Sequence, residues 1–164
     1  MTVALNKSDK ASQILNGALQ EFLAHGYAGT SMDRVAATAG VSKPTVYNHF
    51  QDKEGLFRAL VQKIACERFQ IKFTPETLQE PPAESLPQLL TKMVDAIAED
   101  EDYQDFVRLV IGESGRFPEL ARTFITYLSK PGLELMQAYL NEHPEFDAAD
   151  SLATAQIILG KAIY

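Results

Sequence analysis

The chain reads as an all-α protein, an N-terminal three-helix helix-turn-helix head joined by a long helix to a larger helical domain. Three observations predict this. Apolar residues recur at i, i+3 and i+4 in successive segments punctuated by Gly and Pro. Residues 31–50, SMDRVAATAGVSKPTVYNHF, fit two short helices around a glycine turn. The stretch TPETLQEPPAES, 74–85, concentrates Pro, Glu, Ser and Thr and reads as a linker.

In chain order, residues 9–25 predict an amphipathic helix with Ile14, Leu15, Ala18, Leu19 and Phe22 inward, stopped by Gly26. Tyr27 is expected over the three-helix core. Ser31 caps the next helix, whose Met32, Val35, Ala36 and Ala39 form one apolar stripe, and Gly40 permits a left-handed turn. Ser42 caps a further helix with Pro44 in its first turn, where a missing N–H costs little. Asp52 begins the long helix through Leu56, Phe57, Leu60 and Ile64. Beyond the linker, a helix over about 86–97 carries Leu89, Leu90, Met93, Val94 and Ile97. The acidic AEDEDYQD patch reads as a solvated loop with a helix start, and Phe106 to Ile111 opens another apolar helix punctuated by Gly115 and Pro118. Glu119 to Leu128 continues, Pro131-Gly132 should kink or restart it, Leu133 to Leu140 resumes, and His143-Pro144 ends it. Asp147 or Asp150 can begin a last helix, and Leu152 to Tyr164 is apolar without a terminating signal.

With 164 residues and 46% hydrophobic composition there is ample material for a packed core. No run approaches the roughly 18 apolar residues of a membrane span, and MTVALNKSDKAS lacks a signal peptide's apolar stretch, so a cytoplasmic location without membrane partner is expected. The single Cys66 has no second cysteine for a disulfide or metal, which agrees with a reducing compartment; beside Phe69 it reads as core, with redox sensing the alternative. The net charge of −7 is divided unevenly. Residues 1–50 carry four cations (Lys7, Lys10, Arg34, Lys43) against three acids (Asp9, Glu21, Asp33), so the acid excess lies in residues 51–164. Such asymmetry suits a chain whose N-terminal end meets phosphates.

At about 100° per residue, Pro44, Thr45, Asn48 and His49 lie opposite Val46 and Phe50, with Lys43 and Tyr47 on the flank. Small and hydrogen-bonding groups on a free helix end suit the major groove, because compact side chains admit the backbone, Asn pairs with adenine bidentately, and Lys reaches guanine or phosphate. An ordinary helical hairpin with a solvated face is the competing reading of the spacing alone.

The wider segment narrows that choice. From Ala11 to Phe69 the chain resembles the DNA-binding domain of TetR-family (TetR/AcrR) transcriptional repressors. ILNGALQEFLAHGYAGTSM is similar to the family's first helix, glycine turn and second-helix start; VSKPTVYNHFQDKEGLFRAL is similar to its recognition helix and the start of its fourth helix. RLVIGESGRFPELARTF resembles the ligand domain of the AefR-like branch. The resemblance implies a DNA-binding domain over 8–68 with its helix-turn-helix at about 31–50, and a helical effector-binding and dimerisation domain over 74–164 that is expected to be incomplete at its C-terminus.

On this reading Thr45 and Asn48 carry base readout, Lys43 touches a base or phosphate, Ser42 belongs to the same interface, and Thr30, Ser31, Tyr47, His49 and Lys53 mainly hold phosphates. A solvated surface Lys is the other reading of Lys53, and residues 1–8 read as a disordered or DNA-touching arm. The partners implied are a partly palindromic double-stranded operator, a second copy of the chain through the apolar final segment, and a small apolar or aromatic effector. Phe69, Phe73, Phe106, Leu109, Phe124 and Tyr127 are expected around that effector. No cofactor is expected. Metal binding is disfavoured, because the clustered acids lack a Gly-centred calcium-loop pattern. An enzyme is disfavoured too, since His25, His49 and His143 are accompanied by no G-x-S-x-G, H-E-x-x-H or phosphate-cradling glycine loop. An all-helical protein-interaction module remains the alternative of a different class.

Overall fold

The computed structural model describes residues 2–72, 87–143 apart from 89, 92, 93 and 96, and 150–163. Among them there are helices and no strand: α1 (Thr2–Gly29), α2 (Met32–Thr38), α3 (Lys43–Phe50), α4 (Lys53–Lys72), α5 (Glu101–Glu113), α6 (Pro118–Phe124), a π-helical turn (Ile125–Ser129), α7 (Lys130–Glu142) and α8 (Ser151–Ile163). Helical residues also occur between 87 and 98. The linker expected over 74–85 lies outside the described residues. No helix among them is long and apolar enough to cross a membrane.

Helix α1 begins at Thr2, so the arm expected over residues 1–8 is helical backbone from residue 2. Its inward stripe is the expected one: Ile14, Ala18 and Phe22 are wholly buried. Gly26 breaks the helix at φ 69°, ψ 173°, a conformation open essentially to glycine alone, and the chain turns back through Tyr27 to Gly29. Helix α4 packs on this corner through Leu56, Phe57, Leu60, Val61 and Ala65. Cys66, expected in the core, is exposed. It falls one residue, about 100°, beyond the buried stripe that ends at Ala65.

Phe57 is the centre of the molecule. Its ring meets Phe22 edge-on at 5.6 Å, meets Tyr27 edge-on at 5.6 Å, and lies parallel-offset on Phe106 of α5 at 5.5 Å. One continuous core therefore runs from the head into α5 and α6, taking in Val110, Leu120 and Leu128. The sequence predicts two domains joined by a helix; the packing fuses them. Phe106, expected to line an effector cavity, is 0% exposed within this core and is packing instead. Leu109, Phe124 and Tyr127 lie partly buried on its edge, while the side chains of Phe69 and Phe73 lie outside the described residues.

A second, smaller core of Met136, Tyr139, Leu140 and Ala155 packs α7 on α8, with Leu90, Leu133 and Ile158 against it. Asp150 starts α8, its Oδ1 accepting from Leu152 and Ala153 N–H at 3.0 Å each. Pro131-Gly132, expected to kink or restart a helix, does not restart it: α6, the π turn and α7 run on without a break. Pro131 has no N–H to offer the carbonyl of Tyr127, and the helix accommodates it by widening the turn just before it.

Candidate nucleic-acid interface

The two short helices are fixed at every end by local chemistry. Ser31 Oγ accepts from Arg34 N–H and Ser42 Oγ from Thr45 N–H, both at 3.3 Å, so each hydroxyl satisfies an amide that its helix leaves bare. Helix α2 closes in a Schellman turn: Gly40 at φ 63° lets its own N–H reach Ala37 O and Val41 N–H reach Ala36 O. Gln13 Nε2 donates to Ala39 O at 2.7 Å and locks this turn to α1. On the other side Arg34 lies 3.4 Å from Glu21 and 3.0 Å from His25 Nε2, while Thr38 donates to Glu21 Oε1 at 2.6 Å.

Helix α3 buries Val46 completely and leaves Ser42, Lys43, Pro44, Tyr47 and Asn48 exposed, with Thr45 half-buried. That is the face predicted from the sequence, except that His49, expected on it, is half-buried. Ser42 and Thr45 hydroxyls share a 2.7 Å hydrogen bond, which leaves the accepting hydroxyl's own O–H free to donate. Lys43 is paired with Asp33 Oδ2 at 2.5 Å, and this hydrogen bond raises its pKa above the ordinary lysine value. The ammonium keeps two further N–H donors.

Three of the expected phosphate-holding side chains are turned to other work. Thr30 is buried, with Oγ1 2.9 Å from Glu21 O and 2.8 Å from Gly26 O, so its hydroxyl proton stays inside the protein. Lys53 Nζ donates to Tyr27 O at 2.7 Å and Thr30 O at 3.0 Å, and sits 4.5 Å over the Tyr27 ring. Burial lowers its pKa, against an opposing pull from Glu113. His49 Nδ1 lies 2.8 Å from Thr45 O; a carbonyl only accepts, so Nδ1 carries a proton, and the buried Nε2 has no hydrogen-bond partner among the described residues. Ser31 and Tyr47 remain on the surface as expected.

One residue that sequence reasoning missed organises this region from outside it. Glu113, the last residue of α5, accepts from Tyr27 N–H at 2.8 Å and Ala28 N–H at 3.2 Å. The Gly26 break strips these two amides of their helical acceptors. No signal in the sequence connects a glutamate with a backbone amide 86 residues earlier.

A capped helix pair of this kind, with one helix presenting a small polar face, has the architecture of a helix-turn-helix. The sequence pattern described as bacterial regulatory proteins of the tetR family matches residues 14–60, and that of the AefR-like transcriptional repressor C-terminal domain matches residues 84–155. The chain belongs to the TetR family of transcriptional regulators.

Among solved structures it is similar to a TetR-family transcriptional regulator from Mesorhizobium loti, at 28% identity and a TM-score of 0.78 over 92% of this chain and 77% of that one. The fatty acid degradation regulator FadR from Bacillus halodurans has 26% identity and a TM-score of 0.75, over 93% of this chain and 79% of that one. The transcriptional repressor AcnR of Corynebacterium diphtheriae is 38% identical over 64 residues, which are 39% of this chain and 34% of AcnR. The transcriptional activator FasR of Mycolicibacterium smegmatis is 39% identical over 59 residues, 36% of this chain and 27% of FasR. The matches to these two curated relatives thus span about a third of their length or less. These relatives are regulators of transcription, not enzymes.

Proposed function

We propose that the protein is a cytoplasmic repressor that binds a partly palindromic operator as a homodimer and is released by a small apolar or aromatic effector. The observation that carries this reading is the outer face of α3, where exposed Lys43, Tyr47 and Asn48 flank half-buried Thr45 on a helix held by caps at both ends of the turn. Asn48 and Thr45 read bases, Lys43 reads a base or phosphate, and Ser31, Ser42 and Tyr47 hold the backbone. Thr30, His49 and Lys53 support this surface from behind.

An apolar effector is supported by the AefR-like C-terminal pattern and by the likeness to FadR of Bacillus halodurans, a fatty acid degradation regulator. Exposed Leu152 and Ile157 on α8 are the apolar surface offered to a second copy. Activation in place of repression is the second reading, because FasR, an activator, matches the same head.

The test is enrichment of random-sequence duplexes on the full chain, followed by titration in increasing salt. A single inverted repeat, bound with a steep negative salt slope, supports the reading. Failure to enrich any sequence overturns it and leaves the protein-interaction module. Thermal-shift screening of apolar and aromatic compounds, then operator release, tests the effector.

A further inference from the structure

The corner between α1 and α2 is where the reading head meets the rest of the chain, and its backbone is held from two sides. Glu113 of α5 takes the N–H groups of Tyr27 and Ala28, and Lys53 of α4 gives protons to the carbonyls of Tyr27 and Thr30. Gly26 makes this possible twice over: its φ of 69° exposes the two amides, and a Cβ there would stand 2.3 Å from Glu113 Oε1. The ring of Tyr27, carried by the same corner, packs on Phe22, Phe57 and Phe117. Immediately beyond lies Ser31, the cap of α2.

We propose that Glu113 is the positioning residue through which the C-terminal helices hold the DNA-reading head, with Lys53 as its counterpart on α4. A shift of α5 along its axis withdraws the carboxylate from the amides of Tyr27 and Ala28. The corner then turns about Gly26, and with it the cap of α2 and the tilt of α3. Lys53 donates to the carbonyl of the same Tyr27 whose amide Glu113 accepts, so α4 and α5 act on one peptide segment and their effects are coupled rather than parallel. No phosphate is touched by either group in this arrangement.

The inference rests on the DNA-binding reading above, and the experiment separates the two. Wild type, Glu113→Gln, Glu113→Ala, Lys53→Met and the double variant Glu113→Gln/Lys53→Met are compared at a temperature at which circular dichroism shows them folded. Amide exchange at Tyr27 and Ala28 should accelerate at least tenfold in both Glu113 variants, with the amides of α7 and α8 unchanged. Affinity for the duplex enriched on wild type should fall about fivefold or more. The salt slope should stay the same, since no cation has left the interface. The double variant should lose scarcely more than the worse single one, because both act through one corner.

Wild type that enriches no duplex indicts the DNA-binding reading. Wild type that binds while Glu113→Gln exchanges faster yet binds equally well overturns the positioning role and leaves a structural contact. Losses that add across the double variant overturn the coupling, as does a shallower salt slope in Lys53→Met. Should Glu113→Ala fail to fold, Glu113→Gln, which keeps the shape and one acceptor oxygen, decides; if neither folds, Glu113 is a determinant of folding and the proposal falls.

Discussion

Replacing Gly26 by alanine tests the corner at its most constrained point. At φ 69° and ψ 173° the residue occupies backbone space that side chains other than hydrogen rarely enter, which costs roughly 1–3 kcal/mol for alanine. The new Cβ would stand 2.3 Å from Glu113 Oε1, so the carboxylate must move away. That leaves the partly buried Tyr27 N–H without an acceptor, about 1.5–3 kcal/mol for a charge-assisted bond, whereas the exposed Ala28 N–H can turn to water. Together the loss is about 2.5–6 kcal/mol, read as the displacement of a urea unfolding curve monitored by circular dichroism. Glu113→Ala removes the same hydrogen bonds by another route, so the two losses should overlap by about 1.5–3 kcal/mol in the double variant. A loss below about 1 kcal/mol for Gly26→Ala, or simple additivity with Glu113→Ala, would refute the reasoning.

Asn48→Ala should weaken the enriched duplex by about 1–3 kcal/mol at one base step and relax the preference there, read by binding a set of single-base operator variants; equal binding to all of them removes its base-reading role. Gly55→Ala should destabilise despite alanine's better helix propensity, because a Cβ there meets the backbone carbonyl of Phe50 at 2.3 Å; a raised melting temperature would contradict the packing. Ser42→Ala should cost about 1 kcal/mol of stability through the lost cap on α3, measured by denaturant titration. The Tyr27 phenol is pushed up to about 12 by burial first and then by Glu119, Glu54 and Asp52. Its folded-state pKa lies above the unfolded value near 10, so the stability it contributes is intact below pH 10 and is lost as pH rises towards 12. Tyr27→Phe should blunt that alkaline loss in melts taken across the range.

The head was legible because its signals are local. Ser31, Gly40, Ser42 and Pro44 mark helix ends by chemistry acting within four residues, and the stripe Met32, Val35, Ala36, Ala39 follows from a fixed helical period. Failures came where distant segments compete for the same group. Thr30 and Lys53 look like phosphate holders until the corner's carbonyls claim them, and Phe106 looks like a cavity wall until Phe57, 49 residues earlier, covers it. Periodicity marks a residue as inward without saying what it will meet. The continuous run through Pro131 shows the converse, a strong local breaker overruled by a widened turn.

Family resemblance invites treating the head as an exchangeable module, to be cut at 74–85 and grafted onto another body. The shared core argues against it. A graft made at that point would carry Phe57 without Phe106, the Gly26 turn without Glu113, and Tyr27 without Phe117. Chimeric regulators built from this chain should therefore take α5 and the start of α6 along with the head, or supply a foreign helix bearing an aromatic and, seven residues later, a carboxylate.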